Sequence, residues 1–162
     1  MSISTTWALK METVETLADD SLSPTAAQTQ ITHKNFDEGA TLTGVSTPAV
    51  SKIAAAVVAL VAGAKTLDLT ALTGTNGAAV TMNGLKIVLF RIKNLGASVM
   101  TFTEGAANGY ELAGTGWTVT LAQNQVFQFY GDSAAPTVGG TTKNIDVTGT
   151  GTETFELTVI GG

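Results

Sequence analysis

The sequence predicts an all-β fold, an antiparallel sandwich or barrel preceded by a less regular N-terminal segment. Three observations carry this. Short runs alternate apolar and polar residues with a period of two, and they recur about every 8–12 residues. Clusters of glycine, asparagine and threonine separate them: Asn108-Gly109, Gly114-Thr115-Gly116, Gly139-Gly140 and Gly149-Thr150-Gly151, residues that supply turn geometry at little steric cost. Threonine is the commonest residue, and its branched Cβ suits a pleated surface better than a helix.

Taken in order, Trp7, Leu9 and Met11 alternate, so a strand begins there, and Thr13 and Val14 break its phase. Asp19 to Thr25 reads as a loop and Gln28 to Lys34 as a polar edge strand. Residues 51–63 are ambiguous, because alanine favours helix and the run has no polar stripe. Val57-Val58 followed by Ala62-Gly63-Ala64, with Gly39, Gly44 and Pro48 upstream, favours a strand and turn feeding the half-buried strand 65–70. Thr75-Asn76-Gly77 and Asn83-Gly84 are the strongest turn signals.

Residues 86–93 are apolar on both faces until Arg91 and Lys93 emerge on the face that Ile87 and Leu89 began. A strand buried in its middle and exposed at its end has this pattern. Asn94-Leu95-Gly96 turns the chain into 99–103. In 117–121, Trp117, Val119 and Leu121 share one face; Phe127 and Phe129 face away from Val126, Gln128 and Tyr130. Segments 144–148 and 154–159 repeat the alternation. The reading divides the chain into an N-terminal arm or edge segment, 1–50, and a β-sandwich domain, 51–162.

Composition narrows the function. A chain of 162 residues suits one domain with a core of its own. With no cysteine, disulfides, thiolate metal sites and cysteine nucleophiles are excluded, and the redox compartment stays open. Only 13% of residues are charged, against about 25% in ordinary soluble domains, so the polar surface must be neutral. Such an exterior fits a chain packed against copies of itself or a partner. Net charge −5 and a pI near 4.6 argue against nucleic acid, whose binding needs dense Lys and Arg. The N-terminus lacks a signal-peptide pattern, and the longest apolar run is well short of the ~20 residues that span a bilayer. No membrane partner is expected.

The chemical candidates are weak. His33 is the sole histidine, so a Ser-His-Asp relay would have to use it, yet no Gly-x-Ser-x-Gly elbow accompanies it. Asp19/Asp20 and Asp37/Glu38 are adjacent pairs; glycosidases hold two carboxyls across a cleft, and no Asp-x-Asp-x-Asp-Gly loop supports calcium. Gly114-Thr115-Gly116 begins a dinucleotide fingerprint but is followed by strand residues. Lys86, Arg91 and Lys93 read as a charged strand end meeting acidic neighbours. Trp117, Phe127, Phe129 and Tyr130 could form a sugar platform, although the phase of Trp117 places it in the core. No catalytic residue, cofactor or metal is expected.

The order Leu60-Val61-Ala62-Gly63-Ala64-Lys65-Thr66-Leu67-Asp68-Leu69-Thr70, then Thr73-Gly74-Thr75-Asn76-Gly77, then Phe90-Arg91-Ile92-Lys93-Asn94 resembles small phage virion structural proteins. So do the Gly105-Ala106-Ala107-Asn108-Gly109-Tyr110 turn and the closing 145–151 segment. The resemblance covers roughly residues 55–162. It implies a jelly-roll-like β-sandwich of decoration or minor capsid type, assembled in the host cytoplasm into a virion. The implied role is non-enzymatic: homo-oligomeric assembly with itself and other virion proteins, on capsid or tail. The expected interface is the N-terminal segment, with Trp7, Leu9 and Met11 as apolar anchors. A carbohydrate-binding module is the alternative.

Overall fold

The computed structural model describes the backbone of residues 3–11, 14–16, 30–32, 36–131 and 135–162, and the side chains of 3–10, 38–131 and 135–162. The chain divides into two compact units, a smaller one of Thr5–Thr41 and a larger one built on Leu42–Gly162. Every described element is a strand.

In the smaller unit, β1 (Ser4–Met11) pairs with β4 (Phe36–Thr43). Gly39 allows this pairing to close up, because a Cβ there would lie 2.6 Å from the Trp7 carbonyl oxygen. The Thr6 and Thr41 hydroxyls meet at 2.9 Å. A second antiparallel ribbon joins β2 (Val14–Thr16) to β3 (Gln30–Thr32), with Val14 opposite Thr32. The alternation at Trp7, Leu9 and Met11 therefore does mark a strand, and the polar edge segment appears as Gln30–Thr32. The sequence reading missed β4: Phe36-Asp37-Glu38-Gly39 has no two-residue alternation, and its extended conformation comes from pairing with β1.

The larger unit is an antiparallel β-sandwich, as the sequence predicts. One sheet contains β12 (Val126–Tyr130), β9 (Ile87–Asn94), β14 (Thr154–Gly161) and β5 (Lys52–Ala59) in that order. The other contains β11 (Thr118–Leu121), β10 (Met100–Glu104), β13 (Asn144–Thr148) and β6 (Ala64–Asp68). Pairs nest along the chain: β10 with β11 innermost, then β9 with β12, β6 with β13, and β5 with β14 outermost. The further pairings β10–β13 and β9–β14 complete the two sheets. A small hairpin of β7 (Leu72–Thr73) and β8 (Ala79–Val80) interrupts the connection from β6 to β9. Its turn carries Gly77 at φ 78°, with the Asn76 side chain accepting from the Ala78 amide at 3.1 Å.

The ambiguous run 51–63 resolves as β5 and a turn. Its pairing with β14, from Thr154 opposite Ala59 to Gly161 opposite Lys52, supplies the long-range ladder that overrides alanine's helical preference. Strand β9 follows its sequence pattern, with Ile87, Val88, Leu89, Phe90 and Ile92 buried and Arg91 and Lys93 half-exposed.

Phe102 of one sheet and Phe155 of the other meet edge to face, with centroids 5.2 Å apart and planes at 86°. Such pairs add about 0.5–1.5 kcal/mol beyond their burial. Tyr110, Leu112 and Trp117, on the β10–β11 connection, join the same core. The Tyr110 hydroxyl donates to the Pro136 carbonyl at 2.8 Å and accepts from the Ile87 amide at 3.2 Å. Trp117 Nε1 donates to the Tyr110 carbonyl at 2.8 Å. Both polar tips are therefore satisfied inside, as burial of such groups requires.

Candidate functional site

Of the expected anchors, Trp7 is half-buried and Leu9 is 54% exposed, both on β1. Met11 ends that strand, and its side chain lies outside the described residues. His33, Asp19 and Asp20 also lie outside them, as does the side chain of Asp37 on β4, and Glu38 is exposed on the same strand. Gly114 and Gly116 adopt φ of 99° and 72° and lead into β11. A phosphate cradle would need a helix N-terminus at that point, and the chain supplies a strand.

Arg91 Nη1 lies 3.3 Å from Glu156 Oε2, and Lys93 stands opposite Glu156 in the β9–β14 register. One acid, Glu156, thus stands beside Arg91 and Lys93 of the basic cluster. Trp117 is 7% exposed and its ring is part of the core, so it offers no face to a sugar. Phe129 and Tyr130 do line an open hollow of about 620 Å³, with Glu111, Leu112 and Pro136 on its other side. Among the described residues no three His, Cys, Asp or Glu side chains gather as metal ligands. No helix there is long and apolar enough to cross a membrane.

Two surfaces emerge from the topology instead. The first is the outer face of the sheet β11-β10-β13-β6. Alternation sends Met100, Phe102, Ile145, Val147 and Leu121 inward, so their strand neighbours point out. The registers then set Thr120, Thr101, Thr148 and Ala64 in one row and Thr118, Thr103, Asp146 and Thr66 in the next. Thr101 and Thr120 hydroxyls meet at 3.3 Å, and Thr66 donates to Asp146 Oδ1 at 2.6 Å. Asp146 Oδ2 accepts from the Ala106 amide at 2.9 Å. The result is a sheet face of methyls and hydroxyls with few charges.

At the rim of that face Asp68 meets Lys143 Nζ at 2.6 Å and accepts from the Thr70 amide at 2.8 Å and its hydroxyl at 2.5 Å. Partial burial works to raise its pKa, but the Lys143 and Thr70 hydrogen bonds outweigh that and hold it below 3.8. Burial pushes the Tyr110 hydroxyl above 10.0, with the Ile87 amide opposing.

The second surface is one end of the sandwich, where four connections converge: residues 60–64, 95–99, 122–125 and 149–153. Backbone bonds tie them together: Gly63 amide to Gly151 carbonyl at 2.7 Å, Gly149 amide to Gly63 carbonyl at 2.8 Å, and Asn124 amide to Asn94 carbonyl at 2.8 Å. Asn94, fully buried, donates from Nδ2 to the Ser98 and Leu121 carbonyls at 2.8 and 2.9 Å and accepts from the Gly96 amide at 2.8 Å. These segments carry no charged residue except Glu153. Its carboxylate folds inward, accepting from the Ser98 amide at 2.9 Å, with its other oxygen buried against Gly96. Val61 and Val99, on two of these connections, are 71% and 53% exposed. Sequence reasoning overlooked this end because the four segments are far apart in the chain. Their shared lack of charge was the available signal.

Comparison with known proteins gives no match to a family model, to a curated protein or to a solved structure.

Proposed function

We propose that this chain is a non-enzymatic structural protein of a phage virion, decorating or forming part of the capsid or tail through homo-oligomeric assembly. The observation that carries the reading is the exterior of the sandwich: a threonine-lined sheet face and an end whose single charged residue, Glu153, is folded inward, over a filled core. Such surfaces suit close packing of many copies, because little like charge opposes approach. The nested strand order supports a jelly roll, an eight-stranded architecture that viral capsid domains use and lectins share. Fold by itself does not choose between those uses.

In this reading the partners are further copies and other virion proteins, and the chain is found in particles assembled in the host cytoplasm. Trp7, Leu9 and Met11 provide one apolar contact strip on β1. Light scattering coupled to size exclusion should give a mass that is a multiple of 16.5 kDa, and mass spectrometry of density-purified particles should detect the chain. A monomer at every concentration, together with absence from particles, would sink the proposal.

The hollow beside Phe129 and Tyr130 favours one second reading, carbohydrate binding. Glycan-array signal lost in a folded Tyr130→Ala variant would support it, and a blank array would remove it.

A further inference from the structure

An open sheet has two edge strands, and each edge is a row of amides and carbonyls that a further strand can join. Two of the four edges of the sandwich are guarded. The β7–β8 hairpin packs along β5, and Lys52 Nζ donates across to the Thr81 carbonyl at 2.9 Å. Turns occupy the ends of β6, where Val61 and Ala64 exchange backbone bonds and the Asp68 carbonyl accepts from the Ala71 amide. Strand β11 is four residues long and turns only Thr118 and Thr120 outward, since the Trp117 carbonyl accepts from the Glu104 amide.

The fourth edge, β12, is open. The Gln125 carbonyl accepts from the Asn94 amide at 3.1 Å, and the Gly131 amide donates to the Val88 carbonyl at 2.8 Å. The odd-numbered residues between them therefore bond to β9, and Val126 and Gln128 turn their amides and carbonyls away from it. Among the described residues neither makes a backbone bond on that side. Lysine, proline or a bulge protects many such edges. Residues 121–131 carry no charge and no proline, and the register runs unbroken from Val126 opposite Lys93 to Tyr130 opposite Leu89.

The same strand is its own complement. Laid antiparallel about a two-fold axis at Gln128, it meets the second copy's Gln128, and the two residues exchange backbone bonds. Their side-chain amides, each donor and acceptor, can pair as well. Val126 then faces the second copy's Tyr130 on the outer face, and Phe127 faces the second copy's Phe129 on the inner one. Branched–aromatic and aromatic–aromatic pairs of this kind stabilise a sheet. Val126 and Gln128 are exposed, and Phe127, Phe129 and Tyr130 are half-buried, so all five have surface left to cover. No like charges meet at the joint. The two copies' Arg91 stand three strand spacings apart, about 14 Å, which exceeds the screening length of about 8 Å, and each lies beside its own Glu156.

We infer that β12 is a self-contact: a second copy of the chain pairs with it antiparallel about Gln128, joining two four-stranded sheets into one of eight strands. The inference rests on the homo-oligomeric reading above and gives it a strand and a register.

The test uses the full chain, with native mass by light scattering and folding by thermal melting. The chain has no cysteine, so Gln128→Cys places a single thiol on the axis. Opposed residues there lie about 5.5 Å apart, within the disulfide range of about 4.4–6.8 Å, and mild oxidation should give a covalent dimer. Val126→Cys, with its two copies roughly 14 Å apart, should stay unlinked. Gln128→Glu sets two carboxylates face to face while giving Arg91 a second acid, so it should melt near wild type and assemble about fivefold more weakly. Gln128→Lys should also weaken assembly, and mixing the two variants should restore it, a rescue that a merely structural glutamine would not show. Equal cross-linking at 126 and 128 would mark random collision and overturn the register. No cross-link at 128 and undiminished assembly of Gln128→Glu, beside an oligomeric wild type, overturn the β12 contact and leave the homo-oligomer standing. A wild type monomeric at every concentration overturns both. If the Gln128→Cys variant in purified particles links to a different protein instead of to itself, another chain joins this edge, and the inference falls.

Discussion

Replacing Asn94 by alanine tests how this charge-poor end of the sandwich is held. The side chain is fully buried at the end of β9 and makes three hydrogen bonds, two donated to the Ser98 and Leu121 carbonyls and one accepted from the Gly96 amide. Alanine leaves three backbone groups short of a partner, and each such group in a dry site costs about 1–3 kcal/mol. A carbonyl has a second lone pair and can find partial compensation, so the expected loss is about 3–5 kcal/mol rather than the full sum. For a chain of this length ~1 kcal/mol moves the melting midpoint by ~2–4 °C, which gives a fall of about 10 °C.

Urea unfolding at low protein concentration, where assembly does not add to stability, should show the loss as a lower midpoint with an unchanged slope. Asn94→Asp is the informative companion. It keeps an acceptor for Gly96 but points a carboxylate at two carbonyls, which raises its folded-state pKa. The stability of that variant should therefore be fullest at low pH and fall as pH rises through the raised value. A loss below about 1 kcal/mol for Asn94→Ala, or an Asp variant indifferent to pH, would refute the reasoning.

Further outcomes follow from the same structure. Phe102→Ala removes one half of the ring pair that joins the two sheets and should cost about 3–5 kcal/mol in urea unfolding. Gly63→Ala places a Cβ 2.8 Å from the Gly149 carbonyl oxygen at φ 82°, so its melting point should drop. Asp68 has its folded pKa lowered by Lys143 and Thr70. Its contribution is present above the unfolded value near 3.8 and disappears as pH falls through the lower folded value. Lys143→Met should lower stability modestly at neutral pH and flatten that part of an acid-unfolding curve, with little change at low pH where Asp68 is protonated in both states. A chain lacking residues 1–20 should retain the circular dichroism of the sandwich while losing assembled mass by light scattering; unchanged mass would remove Trp7, Leu9 and Met11 as anchors.

The strands from β10 onward were legible because burial imposes a period of two on them, and β9 because its continuous apolar run ends in charge. Ile145 and Val147, or Phe155, Leu157 and Val159, announce their own inward face. Turn chemistry was equally local, as at Asn76-Gly77 and Asn83-Gly84, whose glycines adopt positive φ. The assignment of β5 was harder, since Ala54-Ala55-Ala56 has no intrinsic strand preference and needs β14 beside it. Strand β4 was invisible for the same reason. Trp117 was offered as a sugar platform and, by its phase, as core; its 7% exposure places it in the core.

By itself the sequence determined the fold class, the inward face of most strands and the shortage of charge, because each depends on neighbours within a few residues. Only the tertiary structure decided which strands share a sheet, and with it where the charge-poor segments meet. Residues 60–64, 95–99, 122–125 and 149–153 form one surface because nested antiparallel pairing returns their turns to the same end. That convergence depends on long-range registers, which local propensity does not encode.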